Sequence, residues 1–521
     1  MASLVKCALI LSAIIPALSY KENQTYWRQK GAEELNEALN LKQRNGVAKN
    51  VILFIGDGMG VQTIVASRIY SKGETGSLAW EKFKNMGALK TYSANKLVPD
   101  SCSTATALFC GIKANHKTSG IDASVDVNEC KRSLDKKTHV DSFAVWALEA
   151  GKSTGFVTTT RVTHATPSAL YAHTPNRGWE CEDKMSPDAK GVCTDIAKQL
   201  INDYPGNKFN VIMGGGRQCL QSPVVDSPKD PVDTWGCRSK DGRNLINDWQ
   251  NNKKKAGQTY QFLSNTEELN NTDITKDYTL GVFANGHIMY DYERNKGPKG
   301  MPSLSLMTEK AIQLLQKNKK GYALMVEGGM IDQAHHRGNA RIALEEVVRF
   351  SEAIQKAVDM VDLSETLIIV TSDHDHSMQL TGYPDRRDGV MGTTKSKIDN
   401  VGFSSLLYTT GGPNNYHFSV KNGSVVREDA SKQNTSDWKY SQQSAILNDE
   451  VTHSGSDVLV FAEGPMAHLF NSVHEQTHVA NVIAYALKIG PYKNRDPSSG
   501  ATQYHCSYVL AALMTLLIYF N

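Results

Sequence analysis

Six apolar runs decide what this chain can fold into: "NVILFIG" at 50–56, "STGFVTTT" at 153–160, "FNVIMGG" at 209–215, "YALMVEGG" at 322–329, "TLIIVTSD" at 366–373 and "DVLVFAEG" at 457–464. None shows the alternation of a strand with one wet face, so each reads as a strand covered on both sides. Amphipathic segments lie between them, and "MTEKAIQLLQKN" and "RIALEEVVRFSEAIQKAVDMV" each precede a strand. Strands alternating with helices predict an α/β fold with a large, mostly parallel central sheet and helices on both faces. The 521 residues suffice for one large domain with insertions. An inserted surface subdomain is expected at 379–450, where Gly, Asn, Ser, Thr and Asp displace apolar runs; 216–300 is also loop-rich. Near the start, "YWRQKGAEELNEALNL" puts Trp27, Leu35 and Leu39 on roughly one helical face, which predicts packing on the chain's own core or on a partner chain. Net charge is +3 without long like-charge blocks, which argues against a dedicated nucleic-acid binder; "KKK" at 253–255 reads as a solvated loop.

The two ends carry address signals. Lys6, an apolar stretch from Cys7 to Ile15, and small Ala17 and Ser19 predict a secretory signal over residues 1–19. Small Ser498, Ser499 and Gly500, a polar spacer and an apolar tail from Tyr508 to Phe520 predict a glycolipid anchor on Ser498 or Ser499, with 499–521 removed. The mature chain is then 20–498, at the outer face of the plasma membrane. Sequons at Asn23, Asn270, Asn422 and Asn434 agree with secretion. Of nine cysteines, Cys7 and Cys506 leave with the ends, so at least one of the remaining seven is unpaired. Cys219 and Cys237 flank a Pro-rich loop and are expected to close it. The pairing of Cys130, Cys181 and Cys193 stays open, and Cys110 reads as a buried free thiol.

Residues that bind metals collect where the apolar runs end. The first run stops at Asp57; the second leads to Arg161, His164 and Thr166; "ALMV" leads to Glu327, Asp332, His335 and His336; "LIIVTS" leads to Asp373, His374, Asp375 and His376. His453 instead stands ahead of the last run. The carboxyl edge of an open α/β sheet is where such folds bind ligands. Asp and His without paired Cys suit catalytic zinc: Asp332, His336 and His453 for one ion, Asp373 and His374 for a second. The oxygens of Asp57, Thr166 and Glu327 suit magnesium. Two such ions about 4 Å apart clamp the attacking and leaving oxygens of an in-line displacement. Arg177 in "HTPNRGW" supplies a fork for two phosphate oxygens. Asp100, Ser101, Cys102 and Ser103 in "VPDSCSTATALF" read as a helix N-cap that carries three possible nucleophiles.

With "FIGDGMG", "TTTRVTHATP", "YAHTPNR", "TSDHDH" and "THSGSDV" in that order, the chain closely resembles the animal alkaline phosphatases from about residue 26 to 492. The stretches "VPDS-STATA-FCGIKAN" and "VEGGMID-AHH" carry the same likeness. The resemblance implies a phosphomonoester hydrolase with two zinc ions and one magnesium. Ser101 would be the nucleophile, preceded by Asp100. Asp332, His336 and His453 would bind the first zinc, and Asp57, Asp373 and His374 the second, which also meets Ser101. Asp57, Thr166 and Glu327 would bind magnesium with His164 nearby, Arg177 would grip phosphate, and His335 and His376 would support. A homodimer is implied, with the N-terminal helix and the 379–450 crown at the subunit contact. Cys102, either free or bridged to Cys181, replaces a small residue, and Gln333 alters the surroundings of the zinc ligands. Ala284 stands where vertebrate relatives carry an acid for calcium, so calcium is not expected there. "CSTAT" lacks the Pro and Arg of a sulfatase signature. A catalytically weak surface receptor on the same fold is the alternative, and the intact ligand set argues against it.

Overall fold

The computed structural model describes residues 22–494, so the predicted signal and the anchor candidates Ser498 and Ser499 lie outside the described residues. Two units are distinguished, up to residue 43 and from 44 onward. The first holds helix α1 (Gln24–Leu39), whose N-cap Asn23 accepts a hydrogen bond from the Tyr26 amide at 3.0 Å. Trp27, Leu35 and Leu39 are all exposed on it.

In the second unit a ten-stranded sheet organises the described residues. Its strands in chain order are β1 (Asn50–Gly56), β2 (Asn85–Lys90), β3 (Ser153–Arg161), β4 (Val211–Gly215) and β5 (Tyr260–Leu263). They continue as β6 (Tyr278–Val282), β7 (Tyr322–Gly328), β8 (Thr366–Ser372), β9 (Val458–Glu463) and β10 (Ser472–Glu475). The spatial order is β10-β2-β9-β8-β1-β7-β3-β4-β6-β5. Only β9 runs against its neighbours, β2 and β8, so the sheet is mostly parallel as expected. Its helices include α2 (Val61–Lys72), α3 (Ser101–Cys110), α4 (Leu245–Lys255) and α5 (Leu304–Leu315). They are followed by α6 (Met330–His336), α7 (Ala340–Met360) and α8 (His478–Leu487).

Strand β1 shows why its sequence lacks alternation. Val51, Leu53 and Ile55 face one core, with Leu108 and Phe109 of α3 and Val482 and Ile483 of α8. Ile52 and Phe54 face the other, with Met307 and Ile312 of α5 and Val347 and Phe350 of α7. Successive side chains point to opposite faces, so a strand between two helix layers needs apolar residues at every position. The segment 379–450 carries small sheets of its own, including Met378–Leu380 with Leu406–Gly411 and Ser444–Leu447, and Phe418–Lys421 with Ser424–Arg427.

Two expectations need correction. "KKK" is the last turn of α4, not a loop. Lys253 is buried there because its ammonium finds partners, donating to the Asn207 carbonyl at 2.7 Å and lying 3.5 Å from the Tyr278 ring centre. Cys219 and Cys237 are not bonded: the disulfides are Cys130–Cys193 and Cys181–Cys237. The short helix Arg217–Leu220 aims the Cys219 thiol at the Cys237 carbonyl, 3.2 Å away, and at Glu180 rather than at a sulfur. Cys102, Cys110 and Cys219 are buried free thiols, so Cys102 has no bridge to Cys181. All four sequon asparagines are exposed.

Candidate active site

The site forms at the carboxyl ends of the central strands. Glu327 is the next-to-last residue of β7, and Asp57 and Asp373 directly follow β1 and β8. The chain must turn sharply after β1, and Gly58 does so at φ +68°. A Cβ there would stand 2.5 Å from His376, so glycine also makes room for that ring. The Gly58 amide donates to Asp373 Oδ1 at 3.1 Å and ties the two strand ends together. Helix α6 delivers Asp332, His335 and His336, and the turn after β3 delivers His164 and Thr166.

Three clusters of ligand atoms result. In the first, Asp332 Oδ1 lies 2.6 Å from His376 Nε2, 3.4 Å from His336 Nε2 and 3.3 Å from His453 Nε2. The second joins Asp57, Asp373 and His374, with His374 Nε2 3.4 Å from Asp57 Oδ1, 3.3 Å from Asp373 Oδ2 and 3.1 Å from Ser101 Oγ. The third joins Asp57, His164 and Glu327, and the Thr166 hydroxyl reaches Asp57 Oδ2 at 3.5 Å. Glu327 also accepts from Thr158 and, at 3.1 Å, from Thr160.

This donor set fits divalent cations. His336 Nδ1 lies 2.9 Å from the Val451 carbonyl and His453 Nδ1 2.9 Å from the Pro99 carbonyl, so each ring donates there. Their Nε2 lone pairs then face each other at 3.1 Å beside a carboxylate, an arrangement that a cation stabilises. Asp57 Oδ1, Glu327 Oε1, His164 Nδ1, His374 Nδ1 and His376 Nδ1 are buried with no hydrogen-bond partner in the protein. Burial, and then the charges of Asp373, Asp332 and Glu327, push the Asp57 carboxyl well up. Burial and Asp332 push Asp373 up to about 7. Buried like charges of this density need positive counter-charge.

Ser101 opens α3, whose N-cap Asp100 accepts from the Ser103 amide at 3.4 Å and hydroxyl at 2.9 Å. The same carboxylate accepts from the Lys117 amide at 2.9 Å and from Arg177 at 3.1 Å. Although burial opposes ionisation, Arg177 and His116 hold Asp100 below the usual carboxylate range. Arg177 keeps 24% of its side chain open to solvent and lies 3.5 Å from His164 Nε2. His335 points away from the clusters, with Nδ1 2.8 Å from the Tyr408 hydroxyl and Nε2 3.1 Å from Thr63 Oγ1. Sequence reasoning grouped His376 and His164 as supporting residues; the structure sets both among the ligand atoms. It missed Thr158 and Thr160, although "VTTTR" at the end of β3 put hydroxyls every second residue on one face.

A family model described as alkaline phosphatase matches residues 48–489. The chain is 40% identical to the tissue-nonspecific alkaline phosphatase of Gallus gallus, over 96% of this chain and 95% of that protein. It is 39% identical to the membrane-bound alkaline phosphatase of Bombyx mori, over 94% and 90% respectively. Among solved structures, the alkaline phosphatase of Thermus thermophilus superposes with a TM-score of 0.59 at 23% identity, covering 86% of this chain and 93% of that one, a likeness of fold.

Proposed function

The chain belongs to the alkaline phosphatase family and is a phosphoric monoester hydrolase, and from that premise we propose that it works at a two-zinc, one-magnesium site through a phosphoserine on Ser101. Asp332, His336 and His453, with His376 beside them, would hold the first zinc. Asp57, Asp373 and His374 would hold the second next to Ser101, and Asp57, Thr166 and Glu327 would hold magnesium near His164. Bound there, such ions supply Lewis acidity toward the ester and water oxygens and offset the buried carboxylates.

The chain's own part in the reaction is positioning. Arg177, braced by Asp100, grips two phosphate oxygens and presents phosphorus to Ser101. The Ser101 oxygen gives up its proton and bonds to phosphorus as the ester oxygen leaves and is protonated to the alcohol. Water then attacks the phosphoserine in line, the bond from phosphorus to the Ser101 oxygen breaks and the serine regains a proton, so two inversions give net retention. The N-terminus of α3 adds amide donors where phosphoryl charge collects. The observation that carries this reading is Ser101 Oγ, at that helix start, 3.1 Å from His374 in the second cluster. Ser101→Ala should remove nearly all turnover of an aryl phosphate while zinc and magnesium content stay normal. Normal turnover in that variant would refute the nucleophile assignment.

The same reading includes a signal over 1–19, a mature chain 20–498 with its crown at 379–450, and a glycolipid anchor at Ser498 or Ser499. No described helix is long and apolar enough to cross a membrane. The exposed Trp27, Leu35 and Leu39 support a homodimer that uses α1. Glycans on Asn23, Asn270, Asn422 and Asn434 are compatible with their exposure. The calcium region of vertebrate relatives is answered here by side chains: Ala284 is buried, and Asp291 is paired with Arg294 and Lys296 at 2.7 and 2.8 Å. Phosphatidylinositol-specific phospholipase should release the enzyme from cells, and retention would refute the anchor.

A further inference from the structure

Trp235 is 54% exposed, yet it is firmly mounted. Its amide donates to Asp233 Oδ1 at 2.8 Å, and the Asp233 carboxylate is paired with Arg161 and, at 3.1 Å, with His287. The Gln218 amide clamps the Asp233 backbone from both sides, accepting from its N–H at 2.7 Å and donating to its carbonyl at 2.9 Å. Two residues beyond the tryptophan, Cys237 is bonded to Cys181. An exposed indole on a loop held this tightly has little conformational entropy left to lose on binding.

Both ends of this mount lead to the active site. The Arg337 guanidinium lies over the indole, 4.5 Å from its centre. Arg337 donates to the Gln333 carbonyl at 2.8 Å and amide oxygen at 3.4 Å, and Gln333 donates to Asp332 Oδ2 at 3.1 Å. At the base of the loop, His287 packs edge-on against His164 with ring centres 5.1 Å apart. Trp235 is therefore linked to Asp332 of the first cluster through two side chains, Arg337 and Gln333, and its loop reaches through His287 to His164, which also meets Arg177. With the phosphate on Arg177 and Ser101 as proposed above, the part of an ester that would reach this pair is its alcohol.

We propose that the Trp235–Arg337 pair is a leaving-group subsite that favours phosphomonoesters of flat aromatic or nucleoside alcohols over those of small alkyl alcohols. The inference rests on the phosphomonoesterase reading of the site. A flat ring gains stacking area and cation–π contact on this pair, whereas a glycerol moiety gains neither. In the full-length enzyme, Trp235→Ala should lower kcat/KM for adenosine 5′-monophosphate by about 5- to 20-fold, mainly through KM. Glycerol phosphate should stay within about twofold, and Trp235→Phe should keep most of the preference. An equal fall on both substrates, or no change on either, overturns the subsite. Absence of turnover in the unsubstituted enzyme would defeat the phosphomonoesterase reading alone. Calorimetry then judges the subsite: Trp235→Ala should weaken adenosine monophosphate binding without weakening inorganic phosphate binding, and unchanged nucleotide affinity overturns it.

Discussion

Asp100 is committed on every side, and that commitment decides where Arg177 points. The Ser103 amide and hydroxyl, the Lys117 amide and Arg177 all use one carboxylate. Lys117 reaches it through a left-handed turn at φ +68°. The arginine is thus held in place in advance, and charge-assisted bonds from it to a phosphate would cost little reorganisation. Arg177→Ala should raise the inhibition constant for inorganic phosphate by about 10- to 100-fold, as expected for losing bonds to a charged group. An unchanged constant would remove Arg177 from the phosphate site. Cys102 meets a different fate beside Ser101. Burial pushes its thiol up to about 12, and its sulfur lies 3.6 Å from the Ala165 carbonyl. A thiol held protonated and covered does not react. Iodoacetamide should leave native activity intact and label Cys102 only after unfolding; rapid labelling with loss of activity would show an accessible thiolate.

At the scale of elements, β1 bears the greatest demand, because its two faces serve two cores. Leu53→Ala should cost about 2–5 kcal/mol in urea unfolding, the usual range for an apolar truncation in a packed core. A loss below about 1 kcal/mol would mean that helices on that face collapse into the space. The same two-sided burial explains what the sequence revealed. Every strand recognised from an apolar run belongs to the middle of the sheet, and "NVILFIG" coincides with Asn50–Gly56. The strands that escaped notice, β10 and β2 at one end and β6 and β5 at the other, are the outer two on each side. β2 alternates buried and less buried positions, and β5 and β10 are only four residues long. Their identity depends on partners distant in sequence, as does the pairing of Cys237 with Cys181. That Asp57, Glu327, Asp373 and His374 would gather was legible because strand ends punctuate the sequence. The hydroxyls of Thr63 and Tyr408 on His335 were not, because α2 and the strand that carries Tyr408 meet at His335 only in the folded chain.

For the whole molecule, a buried carboxyl outside the three ligand clusters shapes how stability falls from about pH 4.5 to about 8. Glu346 on α7 is buried and accepts the Asp291 amide at 2.7 Å. Burial pushes its carboxyl up from the ordinary 4.5 to about 8; the amide bond works against this, and the nearby Asp291 charge adds to it. Between those values the folded state holds a proton that the unfolded chain has released. The resulting stabilisation is complete below about pH 4.5 and is lost as pH rises through about 8. Glu346→Gln keeps an oxygen for the Asp291 amide and cannot ionise. The variant should therefore narrow the difference in unfolding free energy between about pH 5 and pH 9, by about 1–3 kcal/mol. Urea titrations of both proteins at the two pH values, with zinc and magnesium saturating, make this comparison. Saturation matters, because chelation should lower Tm on its own by leaving the buried carboxylates uncompensated, and zinc with magnesium should restore it. If the variant and the unsubstituted enzyme lose stability equally from low to high pH, the loss arises elsewhere. If only the unsubstituted enzyme loses it, a single carboxyl on α7 sets that part of the fall in stability from acid to neutral pH.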